Sequence, residues 1–369
     1  MAYIHEHPDW PRLSWNGSQL LSLHSDVRHR QGRLIGKMSG LGFQQRAEAS
    51  LSNLTADIIK SNAIEGHLLV ADEVRSSIAR RLGMDAGGLS PPSRDVEGMV
   101  EMMLDATQGF ARPLTSERLL GWQSCLFPSG RSGMRNSVVG GWRTPESGPL
   151  QVVSGPIGKE IIHFEAPAAA RLPREMASFL DWFSEKGEDP VIRAGVAHFW
   201  FVTLHPFEDG NGRIARAIAD MALAQADGLP ERFYSMSSRI EAERQNYYGA
   251  LERCQKGGLD ITVWLEWFLG CLGRTLDDAE NNIGSALHRA EFRSHLRRHD
   301  LNARQAKVID RLLEGFSGNL TSSKYAKIAK CSADTALRDI KQLLEFDLLG
   351  KDQAGGRSTA YLLKGKIPD

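Results

Sequence analysis

One twelve-residue stretch, His205 to Arg216, constrains the fold of this chain more than any other segment. It reads HPFEDGNGRIAR and lies between an apolar run at 199–204 and a helix-forming run at 214–225. This order predicts a helix, a tight loop, and a second helix whose N-terminus faces the loop. Such a terminus presents unpaired backbone N–H groups and a partial positive charge, so it binds anions readily. The stretch therefore predicts an anion site, and a phosphate chain suits it.

The residue types within the loop favour a phosphate ligand. Gly210 and Gly212 allow strained backbone angles and the close approach of a ligand. Arg213 and Arg216 are three positions apart, so they lie on one helix face and can contact the same polyanion. Gly-Asn-Gly alone is a weak signal and each arginine alone is unremarkable. The prediction rests on their combination.

The same loop carries groups that can move a proton or hold a cation. His205 is either a general base beside a bound phosphate or a structural histidine with a satisfied hydrogen bond. Glu208 and Asp209 are either a solvated pair or, beside phosphate, a site for Mg²⁺, which takes few protein carboxylates and shares phosphate oxygens with them. Asp209, next to Gly210, is the better candidate, although the spacing alone does not separate the two acids.

Composition excludes several classes of protein. The chain of 369 residues has 45 basic and 45 acidic side chains, which argues against a nucleic-acid protein dominated by electrostatics. Its four cysteines are widely spaced without a CxxC pair, so neither a disulfide framework nor a structural zinc site is expected. The sequence shows no signal peptide and no apolar run long enough to cross a bilayer. We expect a soluble, cytoplasmic protein of two or three domains.

Helical periodicity dominates the chain and predicts a mainly α fold. Helices are expected at 41–62, 73–82, 93–110, 115–123, 168–185, 190–204, 211–227, 239–255 and 261–290, with a Gly/Pro-rich break at 83–92. The stretch at about 150–164 differs, because two β-branched runs flank a Gly-Pro-Ile-Gly turn. It predicts a β-hairpin that packs on the helices.

The last part of the chain has the element order of a winged helix-turn-helix domain. The expected elements are helices at 304–315, 325–331 and 333–346 and strands at 348–351 and 358–363, with a flexible tip at 353–357. The excess of basic residues is modest and the helix at 333–341 mixes both signs of charge. DNA binding is therefore possible but not favoured over a protein–protein role.

The loop sequence resembles a known family. HPFEDGNGRIAR matches the Fic signature, HPFx(D/E)GNGRxxR, at every defined position. Fic proteins are mostly helical and transfer AMP from ATP to a Ser, Thr or Tyr hydroxyl of a target protein. The resemblance implies that His205 is the catalytic base, that the α-phosphorus is attacked, and that pyrophosphate leaves. It also implies Asp209 as the Mg²⁺ ligand and assigns nucleotide binding to Glu208, Gly210, Asn211, Gly212, Arg213, Ile214 and Arg216, with Arg216 on the γ-phosphate.

Two further regions match Fic elements. The hairpin at about 150–164 corresponds to a flap that pairs with the extended target segment. The part of the flap that also borders the nucleotide is matched by Val152, Val153, Ser154 and Gly155. Tyr247 and Tyr248 resemble a Tyr-Tyr element near the adenosine, and Gln255 falls where a further polar contact is common. For the two tyrosines, ordinary core packing is an equally supported interpretation.

A second motif precedes the signature. The sequence SNAIEG at 61–66 fits the inhibitory motif of the family, (S/T)xxxE(G/N), at the end of a helix of about 41–66. The matching positions are Ser61, Glu65 and Gly66; alone, Glu65 would be read as a solvated acid. The resemblance implies that Glu65 pairs with Arg216 and takes the space of the γ-phosphate. The isolated enzyme would then be weakly active.

The sequence leaves other functions open. One is a de-adenylylating hydrolase in which Glu65 orients water, and another is an ATP-sensing regulator that acts through the winged-helix tail. The opening segment at 4–11 resembles a module found before some bacterial Fic domains, where we expect a packing or partner role. We divide the chain into this module with the inhibitory helix (1–92), a Fic core (93–290) and a winged-helix domain (291–369). Homodimerisation and self-modification are further expectations from the resemblance.

Overall fold

The computed structural model describes residues 3–84, 91–132, 135–136, 138–156, 158–185, 187–296, 299–313, 320–351 and 359–364. These residues are mainly helical with short strand pairs, which confirms the predicted fold class. The chain forms two units, 1–279 and 280–369, which are described separately. None of the helices within the described ranges is long and apolar enough to cross a membrane. The three-domain division stays a prediction.

The first unit contains most of the helices. They are α1 Gly17–Ser39, α2 Phe43–Ile64, α3 Ala71–Arg81, α4 Arg94–Gln108, α5 Ser116–Leu126, α6 Leu172–Ser184, α7 Pro190–Leu204, α8 Asn211–Asp227, α9 Met236–Ala242, α10 Arg244–Gln255 and α11 Thr262–Leu296, which continues into the second unit. The strands are β1 Arg131–Ser132, β2 Arg135–Asn136, β3 Gln151–Ser154 and β4 Ile161–Glu165.

Helices α7 and α8 form the centre of this unit. Every residue of α7 from Val191 to Leu204 is buried, so the apolar run of the sequence is a core helix on all sides. Its start is fixed by Asp189, whose carboxylate accepts a hydrogen bond from the Val191 amide, and by Pro190 at the first helical position. Buried alanines on α8 let the two helices approach closely. The loop between α7 and α8 is consequently anchored at both ends by closely packed, buried helices.

Two helical segments differ from the expectation. Helix α1 was not predicted, because only five of its 23 residues are buried and one of those is the polar Gln31. The predicted helix 239–255 is two helices, α9 and α10, which meet at Glu243 with φ −108° and ψ 27°. The Glu243 carboxylate accepts two hydrogen bonds from Arg274 of α11, which stabilises the break.

Helix α2 packs against α9, α3 and α8. Its capping residue Glu65 lies beside Gly212 in the first turn of α8. Its buried Asp57 accepts hydrogen bonds from the Ser235 hydroxyl (2.6 Å) and the Ser237 amide (3.0 Å) at the start of α9. Glu65 is the C-terminal capping residue, and Gly66 has φ 82°, which turns the chain away from the helix. These contacts fix the position of Glu65.

Strands β3 and β4 form the predicted antiparallel hairpin, with a register shift between Val152 and Val153. The turn residue Ile157 lies outside the described residues. Gly155 has φ 99°, and a Cβ there would lie 2.9 Å from the Lys159 carbonyl oxygen, so the turn requires glycine. Val153 and Ile162 are about half exposed, so one side of the hairpin is uncovered within the described chain.

The second unit has its own core. It contains α12 Ala303–Leu313, α13 Ser322–Ala329, α14 Ala333–Glu345 and an antiparallel pair, β5 Leu349–Lys351 and β6 Tyr361–Leu363. Val308, Ile340 and Leu343 are among its fully buried side chains. The element order is the one predicted, while the winged-helix assignment stays a prediction, and the tip at 353–357 lies outside the described residues.

Candidate active site

His205 lies at the C-terminal end of α7 in the left-handed region, with φ 49° and ψ 57°. Its Nδ1 is 3.0 Å from the Val202 carbonyl oxygen. Because a carbonyl oxygen only accepts hydrogen bonds, Nδ1 carries the hydrogen and Nε2 of the neutral ring keeps a free lone pair. Burial lowers the pKa of His205, and the Arg143 charge adds to this, although the Val202 contact acts in the opposite direction. A neutral imidazole at pH 7 follows, as a general base requires.

Arg143 fixes this conformation, and no sequence motif pointed to it. The side chain is buried; Nε donates to the His205 carbonyl (2.8 Å) and Nη2 to the Leu204 carbonyl (3.4 Å). Its backbone amide donates to the Pro206 carbonyl (2.9 Å). These carbonyls lie at the negative end of α7, where intrahelical partners are lacking. Arg143 therefore holds the backbone on both sides of His205, which stabilises a left-handed residue that would otherwise be strained.

We expect Arg143→Gln to raise the pKa of His205, because a positive charge that disfavours imidazolium is removed. NMR titration of the imidazole C–H resonances measures this shift. Arg143→Lys is the matched control, since it keeps the charge but loses the planar fork. Both variants should have a lower Tm, whereas only Arg143→Gln should show the shift. An unchanged His205 titration in Arg143→Gln would contradict the assignment.

The N-terminus of α8 is an uncapped anion site. Gly210 precedes the helix with φ 90° and offers no side-chain cap. The Ile214 amide donates to the Gly210 carbonyl, so the amides of the three residues before Ile214 have no acceptor within the helix. The Asn211 side chain bonds to both backbone groups of Phe207 (2.8 and 2.9 Å). The side chain of Asn211 thus closes the loop, and only its backbone N–H is left for a ligand.

Glu208 and Asp209, the two acidic residues of the loop, have different contacts. Glu208 accepts hydrogen bonds from the Val138 amide (3.0 Å) and from the Ser147 hydroxyl, so both oxygens link the loop to the segment before β3. Asp209 accepts from the Gly210 amide (2.6 Å), and its side chain is 39% exposed. Asp209 is therefore better placed to bind a cation, and Glu208 has a structural role in addition to lining the cavity.

Arg213 is a buried cation with spare donors. Its side chain is 3% exposed and its guanidinium lies 5.2 Å from the centre of the Phe127 ring. Within the described residues, Nε and Nη2 have no hydrogen-bond partner, and the Asp209 carboxylate is 3.6 Å away. Buried donors of this kind normally have acceptors, and phosphate oxygens would supply them. The neighbouring Ile214 side chain is fully buried in the core, so it offers a nucleotide no side-chain contact.

Arg216 is bound to the end of α2. Its Nε donates to the Ser61 hydroxyl, and its Nη2 donates to the Ser61 carbonyl and to Glu65 Oε1, each at 2.8 Å. The Arg216 side chain is 2% exposed and that of Glu65 is 29% exposed, so the ion pair is partly buried. The expected pairing of Glu65 with Arg216 is thus present, and Ser61 accepts two of the three hydrogen bonds that Arg216 donates.

Glu65 also fills the space above the anion site. A Cβ built on Gly212 would lie 2.2 Å from Glu65 Oε1 and 3.1 Å from its carboxyl carbon. Gly212 was expected to allow the close approach of a ligand, and the group that approaches is the Glu65 carboxylate. A negative side chain therefore occupies the position where the N-terminus of α8 would receive a phosphate oxygen.

A cavity of about 720 Å³ joins these groups, a size usual for small-molecule sites. The predicted site residues on its wall are Glu65, Val152, Val153, Ser154, His205, Glu208, Asp209, Gly210, Asn211, Gly212, Tyr247, Tyr248 and Gln255. The predicted residues that do not line it are Ser61, Gly66, Gly155, Arg213, Ile214 and Arg216. The flap, the loop and α10 thus form one site.

The two tyrosines differ. Tyr247 is 2% exposed, and its hydroxyl lies 2.9 Å from Nε2 of His198, a buried residue whose pKa is lowered to about 3 by desolvation. Tyr248 is 37% exposed, with the Arg244 guanidinium 5.7 Å from the centre of its ring. Tyr248 is consequently the ring that is open to a ligand, whereas Tyr247 is mainly core. Gln255 is buried and donates to Thr203 (3.3 Å).

Comparison with known proteins finds a family model that matches the region of this site. Residues 113–223 match the sequence model of the Fic/DOC family, and residues 3–84 match that of a domain of unknown function. A protein adenylyltransferase Fic from Nematostella vectensis is 32% identical over 114 residues, 30% of this chain and 25% of that protein. One from Drosophila willistoni is 26% identical over 266 residues, 67% of this chain and 47% of that protein. The chain spans less than half the length of these relatives.

Solved structures show the same fold. A Fic family protein from Desulfovibrio desulfuricans G20 is 22% identical with a TM-score of 0.52, over 94% of this chain and 96% of that one. A Fic domain containing signaling protein from Bacteroides thetaiotaomicron is also 22% identical, with a TM-score of 0.50 over 69% of this chain and 96% of that one. At this identity the likeness concerns the arrangement of helices.

Proposed function

Because this chain belongs to the Fic family, we propose that it is a protein adenylyltransferase that moves AMP from ATP to a Ser, Thr or Tyr hydroxyl of a target protein. The observation that carries the proposal is that His205, whose Nε2 keeps a lone pair, and the uncapped N-terminus of α8 line one cavity. Arg213, in the first turn of α8, is buried with spare donors. A base and an anion site in one cavity are what AMP transfer needs.

In the proposed reaction, His205 Nε2 accepts the proton of the target hydroxyl. The hydroxyl oxygen forms a bond to the α-phosphorus, and the bond to the β-phosphate oxygen breaks, so pyrophosphate leaves. The free amides of α8 and the guanidinium of Arg213 stabilise the phosphate charge during this exchange. Tyr248 is the exposed ring on which we place the adenine.

Mg²⁺ is the proposed cofactor, with Asp209 as its ligand. The Asp209 carboxylate is partly exposed on the cavity wall, and oxygen donors suit this ion. No group of three or more metal-binding side chains occurs within the described residues. Mg²⁺ bound with a nucleotide needs few protein carboxylates, so one aspartate beside a phosphate site fits. The ion would neutralise phosphate charge when bound.

The flap supports a protein as the acceptor. Strands β3 and β4 pair only with each other within the described residues, and Val153 and Ile162 are exposed on the hairpin. A free strand edge can pair with an extended peptide through main-chain hydrogen bonds. We propose that the target segment binds there, with its hydroxyl towards His205.

We further propose that Glu65 inhibits the enzyme. Its carboxylate lies above Gly212 and bonds to Arg216, so it repels and displaces the phosphates of ATP. Homodimerisation and any DNA contact by the second unit stay predictions from the sequence.

Transfer from ATP labelled in two positions tests the proposed reaction. With the Glu65→Gly form and a cell lysate, label at the α-phosphate should appear on protein, whereas label at the γ-phosphate should appear only in pyrophosphate. Label from the γ-phosphate on protein would indicate a kinase. Release of AMP from premodified protein by the wild-type form, without net transfer, would favour the alternative of a de-adenylylating hydrolase.

A further inference from the structure

A second hydrogen-bonded chain with a hydroxyl, an imidazole and a carboxylate lies on the wall of the cavity. The Ser154 hydroxyl on β3 is 2.6 Å from Nε2 of His163 on β4. Nδ1 of His163 is 2.9 Å from Oε2 of Glu252 on α10. All three residues line the cavity that also contains His205 and the N-terminus of α8.

The proton positions in this chain follow from the partners. The Glu252 carboxylate only accepts, so Nδ1 of His163 carries a hydrogen and Nε2 of the neutral ring accepts from Ser154. A hydrogen bond from Lys256 (2.5 Å) lowers the pKa of Glu252 and keeps it ionised. Ser154 is exposed and lies on the cavity wall. Hydrogen bonds thus connect a nucleophile to a base, and the base to a group that orients it.

We propose that Ser154 accepts AMP within the same molecule, with His163 as its own base; this rests on the proposed adenylyltransferase function. The Ser154 oxygen bonds to the α-phosphorus, the bond to the β-phosphate oxygen breaks, pyrophosphate leaves, and the hydroxyl proton moves to Nε2 of His163. An acceptor held in the same cavity has a high effective concentration. AMP on Ser154 replaces the hydroxyl hydrogen that bonds to His163, and it occupies the edge of β3.

The experiment uses the full-length Glu65→Gly form with ATP and Mg²⁺ and without another protein. Peptide mass mapping should find AMP on the peptide that contains Ser154, at a rate per molecule independent of protein concentration. Ser154→Ala should abolish modification of this peptide, whereas Ser154→Thr should carry AMP on the threonine. His163→Asn should slow it about 100-fold, as loss of a general base does. Thermal melting confirms that each variant is folded.

Two comparisons make the outcome decisive. Because Ser154 has its own base, its modification should persist when His205→Asn is added to the Glu65→Gly form. Loss of Ser154 modification in that double variant, or an unchanged rate in His163→Asn, would overturn the proposal. The hydrogen bonds from Ser154 through His163 to Glu252 would then be only a structural link. If lysate proteins are labelled while Ser154 stays unmodified, the proposal fails and the proposed function stands. If neither is labelled, the proposed function itself fails.

Discussion

Glu65→Gly should raise the initial rate of AMP transfer about 10- to 150-fold, the range that corresponds to a charge-assisted hydrogen bond of about 1.5–3 kcal/mol. The variant removes the carboxylate above Gly212 and one of the three hydrogen bonds to Arg216. Ser61 still holds Arg216 through two bonds, and glycine is tolerated at a helix end, so α2 should stay in place. Incorporation of α-labelled ATP and calorimetric ATP binding measure the effect.

Two control variants separate the ways in which Glu65 could act. Glu65→Gln keeps the size of the side chain but not its charge, so its activation should be smaller if filling of the space above Gly212 matters. Ser61→Ala removes an acceptor from Arg216 and leaves the carboxylate in place, so its rate should stay near that of wild type. Activation by Ser61→Ala as strong as by Glu65→Gly would mean that sequestration of Arg216 is the main cause. A folded Glu65→Gly with the wild-type rate would contradict the autoinhibition.

Local signals explain why the central helices were predicted with the right bounds. Helices α7 and α8 begin and end at the predicted residues because a capping aspartate with a proline, and glycines at 210 and 228 in the left-handed region, act within a few positions. The break between α9 and α10 depends instead on Arg274, 31 positions from Glu243. Periodicity within a segment carries no information about such a partner.

The site shows the same limit. The motif indicated the loop and the resemblance indicated the Glu65–Arg216 pair, but Arg143 lies 62 positions before His205 and belongs to neither. Likewise Ser154 is brought to Glu252 only when the flap folds onto α10. Spacing alone also did not separate Glu208 from Asp209, although Asp209 was the better candidate for a cation ligand. That distinction comes from Val138 and Ser147, which engage Glu208 across the fold.

Replacing His205 should lower kcat for transfer to a target protein by at least about 100-fold, since a positioned general base contributes about 10²–10⁴. His205→Asn in the Glu65→Gly form is the sharper variant. Asparagine adopts the left-handed backbone of this residue more readily than alanine and can still donate to the Val202 carbonyl, but it cannot accept the proton at pH 7. The KM for ATP should change little, because the phosphates are assigned to Arg213 and the amides of α8.

The pH dependence distinguishes loss of a base from loss of structure. The base must be deprotonated, and burial lowers the pKa of His205 below its usual value near 6.5. In the Glu65→Gly form, kcat should therefore be nearly constant around pH 7 and fall only as the pH drops below that value. His205→Asn should be slow throughout and lack this acid limb, with an unchanged Tm. If it kept the rate and limb of its parent, the proton would have to go to a different group.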